Sequence, residues 1–190
     1  YRNTPQRLSD KNAEKIDFVV LRECTEGLFY TAAVHNRNKI ANNDEVEDIM
    51  RITRNTTTRL HNFAFKLAEK RKKKGKLGKV TCVDKANVFK SQALFRKIFN
   101  EIKDDFPNIE ADTCYVDAMA LNLIRQPWEY DVMVMENIFG DILSDLGGGL
   151  VGGMGMASCG EIGDNHGLFQ PAHGSAPDII CLLYTSPSPR

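Results

Sequence analysis

Short apolar runs alternate with segments of helical periodicity along most of the chain. The four apolar runs are residues 16–22 (IDFVVLR), 79–85 (KVTCVDK), 111–117 (ADTCYVD) and 130–137 (YDVMVMEN). Each has the length of a strand and is bounded by charged or turn-forming residues. A helix is predicted over residues 90–105, where it is closed before Pro107. Strands that alternate with helices predict an α/β fold with functional residues at the strand ends.

A second helical pattern precedes residue 79. Apolar and threonine side chains recur three and four apart, which predicts a long helix that begins near Asp44 and needs a partner helix along one face; they are Val46, Ile49, Thr53, Thr56, Leu60, Phe63 and Leu67. This helix is expected to end in the cationic segment KRKKKGK, where Gly75 can adopt the left-handed conformation of a helix cap. The segment GGGLVG, residues 147–152, follows a helix rather than a strand, so it predicts a flexible crossing between domains, not a dinucleotide-binding turn.

Composition excludes several classes of protein. The chain has 190 residues, 42% of them hydrophobic, with 25 basic and 25 acidic side chains, so a sizeable core is expected without electrostatic preference for nucleic acid or membrane. Its 5 cysteines form no CxxC pair, which favours reduced thiols in a cytoplasmic compartment. The chain begins at Tyr1 rather than at a methionine, so an organellar targeting peptide upstream stays an open alternative.

Carboxylates suggest a metal site. Asp141 and Asp145 stand four apart in a segment of helical periodicity, so both are expected on one helix face. Mg²⁺ and Mn²⁺ prefer such oxygen ligands, and Asp117 is the candidate for a third. On spacing alone, a solvated helix face is the better interpretation of this pair.

The residues of four motifs favour the metal site over the solvated helix face. VDKANVF, YVDAMALNLIRQP, ENIFGDILSDL and HGSAPDI, in this order, resemble the β-decarboxylating dehydrogenases, the family of isopropylmalate, isocitrate, homoisocitrate and tartrate/malate dehydrogenases. The resemblance extends from about Gln6 to Ile179 and implies an isopropylmalate dehydrogenase-like α/β fold. Residues 1–150 would form the small dimerising and catalytic domain, and residues 151–180 the start of a returning nucleotide-binding segment. Family members are nearly twice as long, so a fragment is expected, with residues 181–190 a foreign tail or, alternatively, a divergent natural one.

The resemblance also implies roles for individual residues. Arg22 would hold a substrate carboxylate, Lys85 would assist removal of the substrate hydroxyl proton, and Asn87 would contact nicotinamide or substrate. The divalent metal would be bound by Asp117, Asp141 and Asp145. Lys85 and Asp117 would come from the second subunit, so the implied enzyme is a homodimer. The apolar stripe of the long helix that begins near Asp44 would form its interface. The family usually has a proton-donating tyrosine at the position of Phe29, and Tyr30, one residue later, is the candidate replacement.

The cofactor loop is implied by HGSAPDI. His173, Gly174, Ser175 and Ala176 match the adenosine-binding loop of the family, and Asp178 matches the carboxylate that accepts from the ribose hydroxyls. A carboxylate there would repel the 2′-phosphate of NADP, so NAD is predicted.

The resemblance therefore predicts an NAD-dependent and Mg²⁺- or Mn²⁺-dependent oxidative decarboxylase of a 2-hydroxy di- or tricarboxylic acid. The first choice of substrate is 3-isopropylmalate, with isocitrate or tartrate/malate as alternatives. Two further alternatives are a non-catalytic regulatory subunit of an isocitrate dehydrogenase and a dimerising domain without activity. The family places two more substrate arginines upstream of Tyr1, so the fragment itself is expected to be inactive.

Overall fold

The computed structural model describes residues 11–30, 40–41 and 44–174. In chain order the strands are β1 Val19–Arg22, β2 Ile40–Ala41, β3 Val46–Glu47, β4 Lys79–Asp84, β5 Glu110–Tyr115, β6 Val132–Met135, β7 Ser158–Ile162 and β8 Gly167–Pro171. The helices are α1 Arg54–Lys73, α2 Lys90–Ile102, α3 Val116–Arg125 and α4 Asn137–Leu150. Short 3-10 helices cover Lys11–Lys15, Lys103–Asp105, Pro127–Glu129 and Met154–Met156.

A parallel sheet of four strands in the order β1-β6-β4-β5 forms the centre of the molecule. These are the four strands that the apolar runs predicted, and the α/β prediction is confirmed. Because all four strands run in one direction, the residues that follow them meet at a single edge of the sheet. In the register, Val132 of β6 lies opposite both Val19 of β1 and Val80 of β4, and Asp84 of β4 lies opposite Tyr115 of β5.

Helices cover both faces of this sheet. Because successive residues of a strand point to opposite sides, β6 contributes side chains to a buried cluster on each face. Val132 and Val134 of β6 belong to one buried cluster together with Phe65 of α1 and Phe99 of α2. Met133 and Met135 belong to the other, formed with residues of α3 and α4; its helical members are Met119, Leu123, Leu143 and Leu150. The result is a three-layer fold with α1 and α2 on one face and α3 and α4 on the other.

Helix α1 begins ten residues later than predicted, at Arg54 rather than Asp44. A backbone bridge holds the preceding segment extended: the Gly27 N–H donates to the Arg51 carbonyl at 2.8 Å, and the Arg51 N–H donates back at 3.0 Å. The carboxylate of Glu26 then accepts from the backbone N–H of Thr53 at 2.7 Å. These long-range contacts outweigh the helical spacing of the preceding residues.

The buried face of α1 also differs from the predicted one. Thr57, His61, Ala64, Phe65 and Ala68 are the buried residues. Of the predicted stripe residues, Leu60 and Leu67 pack partly buried against the cluster that contains Phe65, and together with Phe63 they line a cleft between α1, β1, α4 and the β7–β8 hairpin. The packing of α1 within one chain leaves the interpretation of this stripe as a surface for a partner helix a prediction.

Two glycine predictions have opposite outcomes. Gly75 follows α1 with a φ of 79°, so the left-handed helix end is confirmed. Residues 147–150 do not form a flexible crossing, because α4 continues to Leu150. Gly147 is buried, and a Cβ atom there would lie 3.2 Å from the ring of Phe18, so the glycine permits close packing of the helix end.

Within the described residues no helix has the length and apolar character required to cross a membrane. The four cysteines in this part of the chain, Cys24, Cys82, Cys114 and Cys159, are free thiols.

Candidate active site

One group of polar side chains lies where β1 meets the first turns of α4. Arg22 is the last residue of β1, and its Nε and Nη2 donate to Oδ1 of Asn137 at 2.9 and 2.7 Å. Its Nη1 forms an ion pair with Asp141. Gly140 makes this approach possible, because a Cβ atom there would lie 2.6 Å from the Cβ and Cγ of Arg22.

The two aspartates of α4 present their carboxylates to an open surface. The Asp141 side chain is 49% exposed, and Asp145, one turn later on the same face, is also exposed. Partly hydrated carboxylates on one helix face are the oxygen donors that Mg²⁺ and Mn²⁺ prefer. In this structure the guanidinium of Arg22 provides the positive charge beside Asp141. These two carboxylates are therefore part of a donor set of the kind that a hard divalent cation takes.

A second group lies at the ends of β4 and β5. Lys85 directly follows β4, and its Nζ donates to Asp117 Oδ1 at 2.7 Å. Asp117 lies in the first turn of α3, directly after β5, and its side chain is 67% exposed. The pKa of Asp117 is lowered, first by the hydrogen bond from Lys85 and then by backbone N–H groups at the start of α3. Asp117 is thus an ionised, accessible carboxylate.

The two groups belong to opposite halves of the sheet. Arg22 ends β1 and α4 follows β6, whereas Lys85 and Asp117 follow β4 and β5. Among residues 11–30 and 44–174, no three acidic, histidine or cysteine side chains come together as a metal site. A single chain therefore brings Arg22 to Asp141 and Lys85 to Asp117, but it does not bring Asp117 to the α4 aspartates.

Glu136 is a site residue that the motif comparison did not single out. It is fully buried and caps α4, accepting from the N–H groups of Ile138 and Phe139 at 3.2 Å each. Burial raises the pKa of this carboxyl, against the lowering effect of those hydrogen bonds. Its neighbour Asn137 donates to the Glu26 carbonyl at 3.2 Å and so ties α4 to the loop after β1. The signal in the sequence was the Glu-Asn pair between an apolar strand and a helix. At such a cap position a polar side chain accepts hydrogen bonds from the backbone N–H groups of the first helical turn.

The ring beside Arg22 belongs to Phe29, whose centroid lies 5.6 Å from the guanidinium carbon. Tyr30 lies under a different cation, Arg51, at 4.5 Å. Phe29 therefore occupies the place next to Arg22, and a proton-donating role for Tyr30 stays a prediction. Asn87 is exposed in the turn between β4 and α2, close in sequence to Lys85.

Only the beginning of the predicted cofactor loop is described. His173 and Gly174 follow β8, both exposed, with the His173 ring nitrogen Nδ1 2.8 Å from the Gly174 carbonyl oxygen. Ser175, Ala176 and Asp178 lie outside the described residues.

Comparisons with known proteins give a consistent result. A family model described as isocitrate/isopropylmalate dehydrogenase matches residues 2–188. A 3-isopropylmalate/3-methylmalate dehydrogenase of Methanocaldococcus jannaschii is 48% identical over 174 residues, which cover 91% of this chain and 51% of that protein. A homoisocitrate dehydrogenase of the same organism is 46% identical, over 88% of this chain and 46% of its own length. A 3-isopropylmalate dehydrogenase of Bacillus cereus is 44% identical, over 89% and 45% of the two chains.

Among solved structures, the isocitrate dehydrogenase from Methylococcus capsulatus matches with a TM-score of 0.79 and 40% identity. The match covers 93% of this chain and 49% of that one. The chain thus spans about half the length of the relatives it matches.

Proposed function

This chain belongs to the isocitrate/isopropylmalate dehydrogenase family, and on that premise we propose that it is the dimerising, metal-binding part of an oxidative decarboxylase. The substrate class is a 2-hydroxy di- or tricarboxylic acid, and the electron acceptor is NAD. Two copies of the chain build each active site: one contributes Arg22, Asp141 and Asp145, and the other contributes Lys85 and Asp117.

The separation of the two polar groups is the observation that carries this proposal. Each group is organised on its own, by hydrogen bonds of 2.7 to 2.9 Å, and each lies at the carboxyl edge of the parallel sheet. Neither group is a complete site. A two-fold axis near the α3–α4 layer would place Asp117 of one copy beside the α4 aspartates of the other. Because contacts across a two-fold axis occur in reciprocal pairs, the dimer would then contain two such sites.

The surface of α3 and α4 supports this axis. Leu121 and Ile124 of α3 and Ile142 of α4 are each more than half exposed. Below them, buried residues of the same helices pack on the sheet. Exposed apolar side chains on two helices that contact each other favour a protein interface. We therefore assign the dimer surface to α3 and α4, in place of the stripe that the sequence suggested on α1.

The side chains have separate tasks. Arg22 binds a substrate carboxylate through its planar fork, and Asn137 fixes the Nε/Nη2 edge of the guanidinium so that Nη1 points toward Asp141. Lys85 assists removal of the substrate hydroxyl proton, and the hydrogen bond to Asp117 holds its Nζ in place. Asp117, Asp141 and Asp145 would hold the divalent ion. When bound, that ion would polarise substrate oxygens as a Lewis acid and NAD would accept the hydride.

The preferred substrate is 3-isopropylmalate. Two of the similar proteins carry isopropylmalate in their names, and a homoisocitrate dehydrogenase is nearly as similar. Isocitrate and tartrate or malate are the alternatives for the same chemistry. NAD is preferred over NADP because of Asp178, and His173 and Gly174 begin the loop that would bind its adenosine. A regulatory subunit without turnover is the alternative from another functional class, and the presence of Lys85 and of all three aspartates disfavours it.

Subunit mixing tests the proposal in the complete protein that contains this chain. Lys85→Ala and Asp141→Asn homodimers are each expected to lose turnover, by roughly 100-fold or more. A heterodimer of the two variants retains one intact site, so random 1:1 mixing after dissociation should recover about a quarter of the wild-type activity. Lys79→Ala, on the opposite end of β4, is the matched control and should keep wild-type kcat.

The outcomes separate the alternatives. Wild-type kcat in either homodimer would refute the assigned roles. Two inactive homodimers that recover nothing on mixing, although native mass spectrometry shows the heterodimer, would refute sharing of the site between subunits. A regulatory subunit would show no turnover before any substitution.

A further inference from the structure

A fully buried carboxylate lies directly next to Lys85. Asp84 ends β4 and has no exposed surface. It accepts two hydrogen bonds from Arg96 of α2, from Nε at 2.7 Å and from Nη2 at 2.8 Å, in a bidentate arrangement. The same carboxylate accepts from the backbone N–H of Ala86 at 2.8 Å. Asp84 is therefore joined both to α2 and to the turn that follows its own strand.

The hydrogen bond from Ala86 determines the path of the chain at Lys85. An aspartate that accepts from the N–H two residues later forms an Asx turn. Lys85 is the central residue of this turn, so the direction in which its side chain leaves the backbone depends on the Asp84 carboxylate. Arg96 in turn fixes that carboxylate, because a bidentate pair allows little rotation of either partner.

The guanidinium of Arg96 also fixes a ring beside the lysine. It lies 4.8 Å from the centroid of Tyr115, and Lys85 Nζ lies 5.8 Å from the same ring. Tyr115 is the last residue of β5 and is the partner of Asp84 in the sheet. Asp117 follows two residues later, 2.7 Å from Lys85 Nζ. Arg96 thus contacts both strands whose ends carry the two residues.

We propose that the Arg96–Asp84 pair is a positioning device that holds Lys85 against Asp117, and that Arg96 acts on the reaction through Lys85 without touching substrate. Stability alone is a weak reason for such a pair, since a buried ion pair is often no more stabilising than apolar residues of similar volume. Placement is a stronger reason, because an error of about 1 Å in a catalytic group can cost roughly 100-fold in rate. The role of Lys85 itself rests on the proposed function.

Carbodiimide coupling measures this placement without any turnover. The reagent joins a lysine amine to a carboxylate only where the two are in direct contact, with loss of water to the reagent. At one end of the β4–β5 pair, Lys85 contacts Asp117 at 2.7 Å. At the other end, Lys79 contacts Asp112 at 2.8 Å and Glu110 at 3.1 Å, and the Asp112 contact is the shorter of the two. Peptide mass spectrometry of the wild-type chain should show both isopeptide links, and the Lys79–Asp112 link is the internal control for the fold.

Two variants decide the outcome. The double variant Asp84→Asn/Arg96→Leu removes the pair without leaving a buried charge, and Arg96→Lys keeps a cation but loses the fork and the flat face over Tyr115. Both should reduce the Lys85–Asp117 link at least about 5-fold relative to the Lys79–Asp112 link. If the double variant loses both links, its fold is lost, and the ratio of the two links in Arg96→Lys then tests the proposal. An unchanged ratio of the two links in a folded variant would overturn the proposal.

Kinetics in the complete protein provide a second readout. Arg96→Lys should lower kcat by roughly 10- to 100-fold with an unchanged KM, since the substrate contacts of Arg22 are untouched. A reduced link together with wild-type kcat would overturn the functional part of the proposal. If Lys85→Ala itself keeps wild-type kcat, the proposed function fails, while the crosslinking result still tests the geometry independently.

Discussion

The two ends of the parallel sheet carry the same kinds of ion pair and bury them to very different extents. At the amino end, Asp131 precedes β6 and is 1% exposed. It is paired with Arg71 and accepts from the Gly78 N–H at 2.7 Å, and Arg71 also donates to the Asp17 carbonyl at 2.7 Å. At the carboxyl end, Asp141 and Asp117 are 49% and 67% exposed, with one described side-chain partner each.

This difference separates two uses of the same residue types. Both oxygens of Asp131 are occupied by groups from α1 and from the start of β4, so this carboxylate connects elements and has no position left for a ligand. Asp141 and Asp117 keep lone pairs that face solvent, which is what a metal ion or substrate requires. The residue types of an ion pair alone do not identify a ligand-binding site. The exposure of the carboxylate and the number of its partners do.

The largest expected effect is loss of the amino-end pair. Asp131→Asn leaves Arg71 with only the half-exposed Asp17 carboxylate, at 3.0 Å, and should lower the free energy of unfolding by about 3 kcal/mol, measured by urea denaturation. Asp141→Asn is the matched change at the carboxyl end and should cost less than about 1 kcal/mol. On the proposed function it should also abolish binding of Mn²⁺ by the complete protein. Equal destabilisation by the two changes would remove the distinction between the ends.

The α1–α2 layer between the two ends buries a titratable side chain without a countercharge. His61 is fully buried, its Nε2 lies 3.2 Å from the Phe95 carbonyl oxygen, and its Nδ1 has no partner among the described residues. Burial lowers the pKa of His61 from 6.5 to about 4. The unfolded chain therefore binds this proton at higher pH than the folded chain does.

The contribution of neutral His61 to the free energy of unfolding should accordingly be fully present above pH 6.5. It should fall by about 3 kcal/mol as the pH drops to 4. Urea denaturation at several pH values measures the slope. His61→Phe keeps an aromatic ring beside Phe95 and Phe99 and should flatten the slope in this interval. If both proteins lose stability equally between pH 6.5 and 4, charges at the sheet ends rather than His61 cause the acid sensitivity.

Much of the carboxyl end could be predicted from the sequence because its signals are local. The run IDFVVLR is apolar up to Arg22, and KVTCVDK is apolar up to the charged pair before Ala86, so both sites at strand ends followed from the pattern. The spacing of Asp141 and Asp145 likewise placed them on one face of α4. Each of these inferences needs only neighbours within a few residues.

The features that the sequence did not reveal depend on distant contacts. The start of α1 is determined by the contacts of Gly27 and Glu26 with residues 51 and 53, and no local pattern contains them. The separation of Asp117 from the α4 aspartates depends on the strand order, in which β6 lies between β1 and β4. The amino-end group around Asp131 was also missed, because its members are far apart in the chain and no local pattern pairs them.

Two glycines of α4 test whether the position of Arg22 depends on close packing of β1 against α4. A Cβ atom at Gly140 would lie 2.6 Å from Arg22 Cβ, whereas a Cβ atom at Gly149 would meet no atom within 4 Å. Gly140→Ala should therefore cost about 1–3 kcal/mol through overpacking, and Gly149→Ala should stabilise by about 0.5–1 kcal/mol because alanine favours the helix. Thermal and urea unfolding measure both. Since the clash pushes Arg22 away from Asn137, Gly140→Ala should also raise the KM of the complete enzyme, and Gly149→Ala should not. Stabilisation by both changes would mean that β1 and α4 have room to separate, and then the geometry of Arg22 would not depend on the absence of a side chain at residue 140.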